Sequence, residues 1–84
     1  MKKENTPREN MTMDQYVINI ATKLRKSRNI SQCEVAEALK VSCAFVGHVE
    51  NQKTSAKYNL RHINLLALFF NVSPHYFFPD SALV

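Results

Sequence analysis

At 84 residues, with a formal net charge of +4 and a pI near 9.3, the chain makes one small domain, with little room for a catalytic cleft and a stability of roughly a few kcal/mol. One Gly, three Pro and no Trp, together with apolar-periodic segments that lack β-branched runs, disfavour an open sheet and favour an all-α class. Eleven Lys and Arg against seven Asp and Glu favour an anionic partner, and no apolar run has the length of a membrane span.

Residues 1–11, MKKENTPRENM, are polar and aperiodic and read as a flexible N-terminal arm. Thr12 and Gln15 form a T-x-x-Q capping box. Tyr16, Ile20 and Leu24 then recur at helical spacing beside Val17 and Ala21, which predicts a first helix ending near 27–29. Lys23, Arg25, Lys26 and Arg28 crowd its end with no acid among them. Such a run either answers the negative end of the helix dipole or forms a phosphate-facing edge. Ser31 and Glu34 make a second capping box, S-x-x-E, and open a two-turn helix with Val35, Ala36 and Leu39 on one face. Ser42 caps a third helix over about 43–50, with Val46 and Val49 one turn apart.

The polar stretch NQKTSAK, 51–57, is a loop carrying two lysines. Asn59 caps an apolar fourth helix, LRHINLLALFF, with Leu60, Ile63, Leu66, Ala67 and Phe70 in phase. Ser73 and Pro74 start a short fifth helix through Phe78, and Pro79 stops it. The folded domain is thus expected over 12–79, with 80–84 as a C-terminal tail.

Two short helices joined by a turn of three or four residues, SQCEVAEALKVSCAFVGHVEN, have the pattern of a helix-turn-helix. Its inward positions hold Val35, Ala36, Leu39, Val41, Val46 and Val49, all apolar, with small Ala36 where the helices cross. With LRKSRNISQ before it and NLRHINLLALFFNVSPHYFF after it, the chain resembles the Cro and phage-repressor-like helix-turn-helix proteins, also called the xenobiotic-response-element family. The resemblance covers roughly 20–78. It implies a five-helix, lambda-repressor-like DNA-binding domain whose third helix enters the major groove of double-stranded DNA, usually as a homodimer.

Carried over by position, Arg25 and Glu50 match an ion pair that fixes the angle of the third helix, with Arg25 also near phosphate. Gln32, Lys53, Ser55 and Lys57 match phosphate contacts. Ser42, Cys43, Ala44, Gly47, His48 and Asn51 occupy the outward, base-reading positions. Few of these can make a bidentate base contact, so readout through DNA shape gains weight. The chain departs from the family pattern in having Lys40 where the turn often has Gly, and Gln52 where Gly often follows the third helix. Asn51 is the neighbour that best tolerates positive φ.

In a chain this helical, Cys33 and Cys43 are not expected to form a disulfide scaffold, and without a signal peptide the default compartment is a reducing cytoplasm. A redox role for either thiol stays open, because both lie near helix starts or basic residues. Cys43 and His48, with His62 and His75 elsewhere, do not have metal-ligand spacing, and no cofactor or enzyme activity is expected. Phe69, Phe70, Tyr76, Phe77 and Phe78 exceed what a core this small hides, which leaves a candidate dimer or partner surface.

The expectation is a sequence-specific DNA-binding transcriptional regulator, a repressor of bacterial or phage type. The alternatives are a protein-interaction module, such as an antitoxin whose aromatic C-terminal surface binds a partner, or a helix-turn-helix that has become an assembly domain.

Overall fold

The computed structural model describes residues 11–83, and these contain four α-helices, one 3-10 turn and no strand. The helices are α1 (Met13–Ser27), α2 (Gln32–Leu39), α3 (Cys43–Glu50) and α4 (Leu60–Phe70), followed by the turn Pro74–Phe77. Of the expected arm over 1–11, all but Met11 lies outside the described residues. The expected fifth helix is the four-residue 3-10 turn. Pro74 at its start and Pro79 just beyond it leave too few backbone N–H groups between them for an α-helix to propagate.

Each helix starts on a side-chain cap. Ser31 accepts from the Glu34 N–H while Glu34 accepts from the Ser31 N–H, a reciprocal box. Ser42 accepts from the Phe45 N–H. Thr12 accepts from the Gln15 N–H, but the Gln15 side chain donates onward to Asn19 at 2.8 Å, so the expected T-x-x-Q box is only half made. At α4 the box is closed by a histidine: Asn59 accepts from the His62 N–H, and His62 Nδ1 accepts from the Asn59 N–H.

Three helices end in one way. Asn29, Lys40 and Asn71 adopt positive φ of 57°, 62° and 58°. The next residue then donates back five residues, Ile30 to Arg25, Val41 to Ala36 and Val72 to Ala67, at 3.0–3.1 Å. This is the Schellman arrangement, and each of those apolar residues also packs on the core. Asn tolerates the left-handed region and Lys does not, so Lys40 carries the strain. α3 ends otherwise. Asn51 stays extended at φ −94°, and the Thr54 hydroxyl donates to the His48 and Asn51 carbonyls. Neither Asn51 nor Gln52 takes a positive φ, so the loop leaves α3 without a left-handed residue where the family often has Gly.

The core forms where the helices meet, with Leu39, Val46, Leu66 and Phe77 fully out of water and Ala36 at 1% exposure beneath the α2–α3 crossing. Each large apolar side chain buried this way contributes about 1.5–3 kcal/mol. α1 buries Val17, Ile18, Ala21 and Leu24, a face turned slightly from the Tyr16, Ile20, Leu24 stripe. Leu60, in phase with the α4 stripe, is 79% exposed. Arg28 ties α1 to the end of α4, donating to the Phe70 carbonyl at 2.6 Å with its guanidinium over the Phe70 ring.

Cys33 and Cys43 are bonded to each other, with Cα atoms 4.6 Å apart, against the expectation of no disulfide. The turn over 40–42 folds the first turn of α3 back beside the first turn of α2, and this juxtaposition is not visible in the spacing of the two cysteines.

Lys40→Gly relieves the left-handed strain and is expected to raise stability by up to about 1 kcal/mol in urea denaturation. Lys40→Val is expected to lower it by a similar amount or more.

Candidate nucleic-acid interface

The site is built around one carboxylate. Glu50, at the last position of α3, accepts from Arg25 Nε and Nη2 at 2.9 Å each. Arg25 Nη1 donates to the Ile30 carbonyl at 2.8 Å. A third donor, Gln32 Nε2, reaches Glu50 Oε1 at 2.9 Å. The side chains of Arg25 and Glu50 are only 11% and 8% exposed, so the end of α1, the start of α2 and the end of α3 are joined by charge-assisted bonds in a largely dry setting.

Two residues expected at phosphate are engaged inside the protein. Arg25 uses three of its five N–H donors there, which gives it the structural role expected of it, and two donors remain on a side chain that lines the polar cleft between α1 and α3. The Gln32 side chain is likewise turned onto Glu50, away from the phosphate role expected of it. What α2 still offers an anion is the free backbone N–H groups of its first turn. Gly47 lies under Gln32, whose Oε1 would sit 3.5 Å from a Cβ placed there. That is ordinary contact, so the glycine is not required by packing against α2.

Ser42, Cys43, Ala44, His48 and Asn51 are exposed along one side of α3, with Gly47 half-buried beside them. Cys43 presents a disulfide sulfur there in place of a free thiol. Lys53, Ser55 and Lys57 are exposed in the following loop, which Thr54 and an Asn51 Oδ1 to Lys53 N–H bond at 3.0 Å hold to the end of α3. A polar cleft of about 360 Å³ runs between α1 and α3, lined by Thr22, Arg25, Lys26, Gln32, Gly47 and Glu50 with Asn51. Lys26 brings a cation to its rim. Sequence reasoning placed Lys26 only in a general basic run, because the direction of each cation depends on the end of α1.

Behind α3, Phe45, Tyr58 and His62 form an aromatic cluster with ring centroids 5.4–6.4 Å apart. Burial pushes the Tyr58 phenol up, with Glu50 adding and Arg25 opposing. Burial first, and then Arg61, pulls His62 below its usual range. Among the described residues no group of three or more His, Cys, Asp or Glu side chains converges as a metal site would require, and no helix is long and apolar enough to cross a membrane. On another part of the surface, Leu68, Phe69 and Tyr76 are 72%, 39% and 50% exposed.

No known family matches the chain, and no curated protein or solved structure is significantly similar to it.

Glu50→Ala strands the Arg25 guanidinium in a nearly dry place, and Arg25→Ala strands the carboxylate. Each is expected to cost about 3–5 kcal/mol, and the double variant less than the sum of the two, by urea denaturation.

His62 binds a proton less tightly when folded than when unfolded, so its contribution to stability is present above the unfolded value of 6.5 and is lost as pH falls from there toward the lower folded pKa. Thermal melts across pH 4–8 are expected to show this loss (on the order of those ionisation ranges). His62→Gln keeps an acceptor at the cap but removes the titration, and is expected to flatten the curve.

Proposed function

We propose that the chain is a sequence-specific DNA-binding transcriptional regulator, a repressor of the Cro-like helix-turn-helix kind, which acts as a homodimer in the bacterial cytoplasm. α2, the turn and α3 form the helix-turn-helix, and α3 lies in the major groove of double-stranded DNA. One observation carries this reading: Arg25, Gln32 and Glu50 lock α3 at a fixed angle while its outer side is left exposed beside a basic loop. A helix held so firmly by its inner end and left uncovered on its outer face is suited to insertion into a groove.

In this reading His48 donates to a guanine edge, Ala44 meets a thymine methyl group, and Ser42 and Asn51 bind base or phosphate. Lys26, Lys53 and Lys57, with Ser55 and the first-turn N–H groups of α2, hold the backbone. The small side chains of α3 bring the helix backbone close to the groove floor, so shape contributes to specificity. Leu68, Phe69 and Tyr76 supply an apolar surface for a second copy, which places the two α3 helices about 34–36 Å apart, one turn of B-DNA. The same exposed surface supports a second reading, in which it docks onto a partner protein as an antitoxin would.

Selection from a random duplex library at two salt concentrations tests the proposal, and a two-fold symmetric site with half-sites one helical turn apart is the expected result. Recovery of no sequence preference at either salt would overturn it. On the recovered site, Lys53→Ala and Lys57→Ala are each expected to reduce the slope of log K against log salt by about 0.9. His48→Ala is expected to relax preference at one base pair by about 1–3 kcal/mol.

A further inference from the structure

We propose that Cys33 and Cys43 form a reversible redox switch for nucleic-acid binding, in which the disulfide form binds tightly and the dithiol form weakly. The inference rests on the DNA-binding reading above and adds to it the regulation of the same face.

Three observations converge on the pair. The disulfide joins the second residue of α2 to the first residue of α3. It therefore ties together the two helix starts that the DNA-binding reading turns toward the duplex. Both residues are solvent-exposed, so a small thiol or a protein dithiol can reach the sulfurs without unfolding the domain. Both also lie in the first turn of a helix, where the positive end of the dipole stabilises a thiolate and so makes the disulfide easier to reduce. A structural staple is normally protected from exchange, whereas an accessible bond with stabilised thiolates exchanges readily. In the reducing interior where a transcriptional regulator works, disulfides are mostly transient and redox-sensing.

The chemistry closes on itself. A low-molecular-weight disulfide oxidises the pair: the Cys33 or Cys43 thiolate attacks it, forms a mixed disulfide and expels one thiolate. The second cysteine then displaces the other. The protein loses two electrons and two protons, and the oxidant leaves as two thiols. A dithiol reductant reverses both steps and is itself oxidised to a disulfide.

The sign follows from charge and order. Oxidised, the pair carries no charge and holds the start of α3 against the start of α2. Reduced, it leaves two separate thiols where phosphates would approach, any negative charge on them repels those phosphates, and the first turn of α3 is no longer tied to that of α2. The bracket at Glu50 still holds the far end of α3, so reduction loosens the reading end without unfolding the domain.

The test uses the wild-type chain, oxidised with glutathione disulfide or reduced with a phosphine, with thiols counted in each state. Binding is followed by fluorescence anisotropy on a labelled duplex carrying the selected site and, at low salt, on the unselected pool. Helix content is followed by circular dichroism. The expected result is binding about tenfold or more tighter for the oxidised chain, as preorganisation predicts, with helix content nearly unchanged. The paired variant Cys33→Ala, Cys43→Ala is expected to be insensitive to redox state. Equal binding by both forms would overturn the switch and leave the DNA reading standing. Loss of helix content on reduction would also overturn it, by making the bond a staple of the whole fold. Binding by neither form to either probe would overturn the DNA reading and the switch with it.

Discussion

A guanidinium and a carboxylate that are nine-tenths out of water constrain much of this small domain. Removing charges from solvent is costly, and the cost is offset only if each partner is held in register and its remaining hydrogen-bonding capacity is met. Arg25 meets that condition through Glu50 and the Ile30 carbonyl, and Glu50 meets it through Arg25 and Gln32. The residues come from α1, the α1–α2 connection, α2 and α3, so satisfying one ion pair fixes three helices. Apolar packing between α2 and α3 is non-directional and permits small rotations. The fork geometry of Arg and carboxylate does not.

A consistent plan for ending helices supports that bracket. The Schellman turn after α1 delivers the Ile30 carbonyl to Arg25, and the one after α2 sets the reversal that brings α3 back. Each places an apolar residue on the core at the point where the chain changes direction. α3 stops without such a turn, and its last carbonyls are covered by a threonine from the loop. The loop lysines are therefore tied to the end of α3 through that threonine, and where α3 goes they follow. The resulting arrangement pairs a rigid inner end with an open outer face, which is the physical basis of the proposed DNA-binding function.

Much of this was legible in the sequence because it is local. The caps at Ser31, Ser42 and Asn59 and the apolar positions Val35, Ala36, Leu39, Val46 and Val49 follow from spacing, and the helices occur where those signals lie. The strained position at Lys40 follows from a turn that usually holds glycine. What was not legible depends on which groups compete for a partner. Gln32 offers the same amide to a phosphate or to Glu50, and only the path of α3 decides between them. Arg28 reads as an ordinary cation of a basic run until the end of α4 arrives beside it, and the pairing of Arg25 with Glu50 was legible only through the family resemblance. His62 as a helix cap breaks the usual preference for Glu or Gln at that position. The cysteines pair because a turn reverses direction, and composition says nothing of direction. The fifth helix failed for a local reason that could have been weighed, two prolines bracketing too short a segment.

The most direct measurement of the central claim, that α3 is held at its inner end so that its outer face can meet DNA, is an amide chemical-shift titration of the labelled chain with duplex DNA. The account predicts shifts at 31–34, 42–48 and 53–57, with the amides of the exposed apolar residues Leu68, Phe69 and Tyr76 unmoved at constant protein concentration. Shifts confined to those three residues, or none at all at low salt, would contradict it.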